Sequence, residues 1–241
     1  MRFRVLPLIF LATFSQAAEN VCNKQIKVAV IDTGLDLTDP RFTDHLCKTG
    51  HYNFVNGESI NDVNGHGTFV AGLIEKYAGN TNYCMVIYKY YNSQSSGIIN
   101  MNREVQALQL AVKNKVRIVN FSGGGPSFSE QESLLIRFNP KTTFVVAAGN
   151  EGENLDLPGN TFYPASLFYS NEEIVGSIDS NGEKAHTSNY GHMIKNKEIG
   201  EKVVSYLPND KTGTMSGTSF STAIFTGKLV DKLSKQCEHR K

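Results

Sequence analysis

Val28-Ala-Val-Ile-Asp32-Thr-Gly-Leu-Asp36 is an apolar run of strand length that ends on an aspartate and a tight glycine turn. Apolar residues fill the run instead of alternating with polar ones, which is the pattern of a strand covered on both faces, as parallel sheets are. The strand candidate here is 26–31, and working outward others lie at 51–55, 85–90, 116–121, 142–147 and 173–178, most of them apolar along their whole length. Amphipathic stretches separate them. The stretch 103–114 carries Val105, Leu108, Ala111 and Val112 on one helical stripe. The stretch 129–138 opens with a Ser-x-x-Glu capping pattern ending at Glu132, and Pro140 stops it. The stretch 218–234 sets Ala223, Gly227, Val230 and Ser234 along one face, small enough for close packing on a sheet. No internal repeat is visible. Alternation of strands and helices predicts a three-layer α/β fold with a mostly parallel central sheet and helices on both faces. In such folds, sites gather at the carboxyl ends of the strands.

The chain has 241 residues, 40% hydrophobic and 20% charged, and reads as one globular domain able to bury its own core. With 24 Lys+Arg against 23 Asp+Glu, it lacks the concentrated positive charge that would mark a nucleic-acid or anionic-membrane partner. Residues 1–17 read as a cleaved signal peptide: Arg2 and Arg4, an apolar run from Val5 to Phe14, then Ser15-Gln16-Ala17 before the cut. The apolar run is about half of the roughly 20 residues a membrane span needs. The expected mature protein is therefore a single domain at 18–241, secreted or periplasmic, with no membrane contact after processing. Its four cysteines, Cys22, Cys47, Cys84 and Cys237, fit no zinc spacing, and an oxidising compartment favours two disulfides among three possible pairings.

Three segments carry chemistry. Asp32 closes a strand, where a carboxylate suits a catalytic role, a metal site or a capped turn. His66 stands in Asp62-Val-Asn-Gly-His66-Gly-Thr68, with glycines on both sides that let other groups approach the imidazole. Ser219, in Thr214-Met-Ser-Gly-Thr-Ser219, falls in the first turn of a helix, where free N–H groups favour developing negative charge, although serine is also a common helix cap. Taken together, Asp-Thr-Gly at 32–34, Gly-His-Gly-Thr at 65–68 and Gly-Thr-Ser at 217–219 resemble the subtilisin-like serine peptidases, over about residues 27–233. The resemblance implies a subtilisin-like fold and a secreted serine endopeptidase with the triad Asp32, His66 and Ser219. It also implies an oxyanion hole of Asn150, in Ala-Ala-Gly-Asn at 147–150, with the Ser219 N–H.

The same resemblance assigns Ser122, Gly123 and Gly124 to an edge that pairs with an extended substrate, and Ala148 and Gly149 to the opposite wall of the pocket. Protein or peptide substrates are the expected partners, met by a monomer with no cofactor expected, calcium staying open as an alternative for which the sequence shows no site. A phosphate-binding role for the glycine-rich loop fails because no Gly-Lys-Ser/Thr follows. The chain departs from the family pattern at Gly123 (commonly leucine), at Phe69 (usually a second histidine), at Phe220-Ser221-Thr222-Ala223 after the nucleophile, and at Glu198-Ile199-Gly200. These changes bear on substrate preference, and Glu151 and Glu153 near the pocket suggest tolerance of basic side chains or a solvated surface. His45, His51, His186, His192 and His239 carry no motif and read as surface or structural. Little chain precedes the first strand, so no pro-domain is expected, and the segment between Gly72 and Met85 leaves little room for the family's calcium loop. In the resembled topology the strands following Cys47 and Cys84 are parallel neighbours, which implies a Cys47–Cys84 link and leaves Cys22–Cys237. The competing reading is a non-catalytic binding protein on the same scaffold.

Overall fold

The computed structural model describes residues 25–238. The signal segment at 1–17 and Cys22, and with it the expected Cys22–Cys237 link, lie outside the described residues. Seven parallel strands form one sheet: β1 (Ile26–Asp32), β2 (Tyr52–Asn53), β3 (Tyr83–Lys89), β4 (Ile118–Phe121), β5 (Thr143–Ala147), β6 (Glu172–Ile178) and β7 (Asn196–Ile199). Their order is β2-β3-β1-β4-β5-β6-β7. From β1 the chain moves first to one side, to β3, and then returns to lay β4 on the other. That reversal opens a crevice beyond the ends of β1 and β4, where doubly wound folds place their ligands.

Burial explains why these strands read as continuous apolar runs. Val28 and Val30 point into one core with Phe69, Leu73 and Ala223, from helices α1 (His66–Ala78) and α4 (Thr218–Glu238). Ala29 and Ile31 point into a second core with Leu108 and Ala111 from α2 (Gly97–Lys113) and Ile136 from α3 (Glu130–Arg137). Each face of the sheet is covered, so neither can be polar.

Four sequence expectations need correction. Helix α2 starts at Gly97, before the predicted stripe, because the chain turns into it at Ser96. Gly227 does not meet the sheet. A Cβ there would lie 2.8 Å from Ile74 O and from the Tyr77 side chain, so the small residue lets α4 pack on α1. Cys84 lies inside β3, not ahead of it, and is bonded to Cys47 as the resemblance implied. A strand β7 and an antiparallel hairpin, β8 (Val203–Leu207) with β9 (Lys211–Met215), went unread. β7 and β9 are mostly polar and carry no apolar run to find, while Ser205 interrupts the apolar residues of β8.

Candidate active site

Asp32 ends β1 with its side chain 3% exposed, and its Oδ1 accepts from the Thr33 N–H at 2.7 Å. His66 is the first residue of α1, and its Nδ1 lies 2.8 Å from that same Oδ1. A carboxylate only accepts, so the proton sits on Nδ1 and Nε2 is left as an acceptor. Burial of the ring works against its charged form. The Asp32 carboxylate outweighs it, as neighbouring charge and as hydrogen-bond acceptor, with Asp62 adding to it, and the His66 pKa is raised.

Two glycines bring these elements into contact. A Cβ on Gly67 would sit 2.4 Å from Gly34 O, and one on Gly34 would sit 2.2 Å from Ile60 O. Only bare backbone allows the turn after β1 to nest against the start of α1.

Asp62 then holds that nest together, a task the sequence reading did not give it. Its Oδ1 accepts from the Thr33 hydroxyl (2.9 Å) and from the N–H groups of Asn64 (3.0 Å) and Gly65 (2.8 Å). Its Oδ2 accepts from the N–H (2.8 Å) and hydroxyl (2.7 Å) of Thr68. The Thr33 hydroxyl in turn accepts from the Gly67 N–H at 2.8 Å. Before it, Lys89 at the end of β3 donates to the carbonyls of Ser59 and Asn61, both at 3.0 Å, which fixes the approach to Asp62. A carboxylate four residues ahead of His66 was the signal that could have found it.

Ser219 occupies the first turn of α4. Its hydroxyl donates to Ser122 O at 2.8 Å, and the Ser122 hydroxyl donates back to Ser219 O at 2.8 Å. The expected direct bond from Ser219 to the imidazole is therefore not made in this rotamer. The residue after Ser219, Phe220, sets its ring 5.4 Å from the His66 ring, so the start of α4 packs beside the imidazole. Phe220 also packs on Phe69 at 4.7 Å, so two departures from the family pattern are partners in one apolar cluster beside the imidazole.

Asn150 follows β5. Its Oδ1 accepts from the N–H (2.8 Å) and hydroxyl (3.1 Å) of Thr218. With the oxygen pinned, the Nδ2 donor is turned out and has no partner among the described residues. Asn189, buried at 2% exposure, braces the same loop: it donates to Ala148 O at 2.9 Å and accepts from the N–H groups of Glu151 (3.1 Å) and Glu153 (2.9 Å). Nothing near Asn189 in sequence pointed to that role. The Glu151 carboxylate is itself 2.6 Å from Asn189 Nδ2 and so belongs to this brace. Gly125 exchanges backbone bonds with Tyr163, and a Cβ would meet the Tyr90 hydroxyl at 2.5 Å on Gly123 and Tyr163 O at 2.4 Å on Gly124.

The motif-free histidines have structural partners where these are seen. His45 meets Glu75 at 2.7 Å, and His51 bridges Cys47 O and the Ile87 N–H. Burial lowers the His51 pKa, which fits a neutral ring that donates on one side and accepts on the other.

Comparison with known proteins agrees with this architecture. The profile of the subtilase family matches residues 23–236. The major intracellular serine protease of Bacillus subtilis is 32% identical over 225 residues, spanning 88% of this chain and 70% of that protein. Subtilisin DY of Bacillus licheniformis is 32% identical over 229 residues, spanning 90% of this chain and 80% of that protein. The crystal structure of a lanthipeptide protease superposes with a TM-score of 0.77 at 22% identity, covering 89% of this chain and 74% of the other. A cold-adapted subtilisin-like serine proteinase does so at 0.73 and 24% identity, covering 87% and 76%. The chain belongs to the subtilase family, and it is a subtilisin-like serine-type endopeptidase.

Proposed function

We propose that this subtilase is an exported endopeptidase that cleaves extended peptides through an acyl-enzyme, with Ser219 as nucleophile, His66 as base and Asp32 as its orienting partner. One observation supports the reading: Asp32 holds His66 Nδ1 at 2.8 Å although the two are far apart in sequence, and Phe220, the residue after Ser219, packs on the same ring. Catalysis starts with a rotation about the Ser219 side chain, away from Ser122 O and toward His66 Nε2. The hydroxyl oxygen then attacks the scissile carbonyl as its proton passes to Nε2. The imidazolium formed is held by Asp32. The new oxyanion sits between the Ser219 N–H and Asn150 Nδ2, a donor fixed in advance because Thr218 holds its oxygen. Collapse expels the amine, which takes the proton from Nε2. Water, deprotonated by the same imidazole, then releases the acid and restores Ser219.

Substrate positioning follows from the backbone. The acyl side of the peptide would pair with the edge at Ser122–Gly124, against a wall formed by Ala148 and Gly149. Main-chain pairing demands little of sequence, so side-chain preference is left to the subsites. Export rests on the basic, apolar and small-residue segments of 1–17, and mass analysis of the secreted protein checks it by an N-terminus at Ala18.

The decisive experiment uses the processed chain with a mixed peptide library and a fluorophosphonate probe. The protein is expected to hydrolyse peptides and to take the label on Ser219, with Ser219→Ala losing both. Labelling elsewhere, or an intact rate in Ser219→Ala, would overturn the mechanism and leave the non-catalytic binding protein.

A further inference from the structure

Next to the pairing edge lies a cavity of about 370 Å³, between the end of β3, the start of α2 and the backbone of Gly124–Ser127. Ile98, 59% exposed, with Met101 and Pro126 gives it an apolar rim. Its wall, however, holds two carboxyls from different helices. Glu104 of α2 is 8% exposed and Glu132 of α3 is 3% exposed.

The local sequence gives Glu132 another task. In a closed capping box its carboxyl would return to the Ser129 N–H. Only half of that box forms: Ser129 Oγ accepts from the Glu132 N–H at 3.3 Å, but the Glu132 side chain makes no return bond. It is turned inward toward Glu104 instead, and its Oε1 is buried without a hydrogen-bond partner. Neither carboxyl forms an ion pair among the described residues. The cation close by, Arg103, is spent on the Ser95 hydroxyl and Asn100 Oδ1. Burial, then the neighbouring Glu132, push the Glu104 pKa well above the carboxylate range, and burial pushes Glu132 up as well, opposed by its bond with Glu104. Two carboxyls at a cavity wall, one oxygen unpartnered, is an arrangement that costs free energy until a cation enters.

We propose that this cavity is a subsite for a lysine or arginine side chain of the peptide substrate, recognised by Glu132 and Glu104. The apolar rim suits the methylene stem of such a side chain, and the carboxyls at the wall suit its charged head. The inference rests on the reading of Ser122–Gly124 as the substrate-pairing edge. Ser219 bonds to Ser122 O, while the cavity begins at Gly124, so at about 3.3 Å per residue the entering side chain lies roughly three to four positions before the scissile bond.

The test compares peptides that differ only there, carrying arginine, its uncharged isostere citrulline, or leucine. In the unaltered protein kcat/KM is expected to favour arginine over both by about tenfold or more, a ratio typical of a buried, hydrogen-bonded charge pair. Glu132→Gln and Glu104→Gln, near-isosteric changes, should each cut that ratio, and together bring it close to one. A ratio of one in the unaltered protein, or one undiminished in the double variant, overturns the proposal. Anisotropy with fluorescent peptides and Ser219→Ala protein reads the same preference as affinity. Arginine-dependent binding without cleavage by unaltered protein would defeat the proposed catalysis but uphold the subsite. Cleavage of all three peptides alike would do the reverse.

Discussion

Asp62→Ala removes the acceptor that ties the turn after β1 to the start of α1. Five donors lose their partner: three main-chain N–H groups and the hydroxyls of Thr33 and Thr68. The hydroxyls can rotate to new partners, and the Asn64 N–H lies near solvent. The N–H groups of Gly65 and Thr68 are in buried residues and cannot. At about 1–3 kcal/mol for each orphaned buried donor, the loss should be roughly 2–6 kcal/mol. That is a large part of a domain's stability of about 5–15 kcal/mol. Urea unfolding should show a midpoint lower by about 1–2 M at ordinary slopes. Asp62→Asn keeps the Oδ1 acceptor but presents an NH₂ group to the two Thr68 donors, so it should fall between. Activity adds a second, independent signature. Asp62 contributes to the raised pKa of His66, and the imidazole must be neutral to act as base. The rate should therefore rise with pH through a value above 6.5, and in Asp62→Asn that limb should move to lower pH. A loss below about 1 kcal/mol together with an unmoved acid limb would refute this account of Asp62.

Other expectations follow from the same structure. Asn150→Ala removes the free Nδ2 donor and should lower kcat by about 10²–10³-fold with little change in KM, the magnitude known for this donor in subtilisin; steady-state kinetics on one peptide check it. Breaking Cys47–Cys84, which spans 37 residues, should cost about 4 kcal/mol on the chain-entropy account. By calorimetry that is roughly 8–16 °C in Tm for a chain of this size, and a reduced protein melting within a degree of the oxidised one would contradict it. Glu172 has its pKa pushed up from 4.5 to about 8, chiefly by burial, opposed by the Tyr169 N–H and helped by the charge of Glu132. A folded state that holds this proton more tightly than the unfolded one loses stability as pH rises between those two values, by up to about 1.4 kcal/mol per unit. Glu172→Gln should flatten that fall in denaturation series from pH 5 to pH 8.

The sequence by itself determined the layered sheet. Val28–Ile31 and its counterparts are apolar without alternation, and only a strand with a core on each face has a use for that pattern. It also determined which residues stand at the carboxyl ends of β1 and β5 and at the first turns of α1 and α4, because those positions are marked by glycines and caps. Bonds between distant segments were decided by tertiary structure alone. Asp62 looks like any loop aspartate until Thr33 and Thr68 are folded against it. The Asn189 brace, the meeting of Phe69 with Phe220, and the Ser219 hydroxyl resting on Ser122 O are likewise invisible to local pattern. Glu132 shows the limit most clearly. Its spacing from Ser129 spells a capping box, but the neighbouring helix supplies Glu104 and a cavity, and the environment, not the spacing, sets where the carboxyl goes. Short-range chemistry fixes where an element begins and which face is apolar, whereas the partner of a polar side chain is chosen by whatever the fold brings within about 3 Å of it.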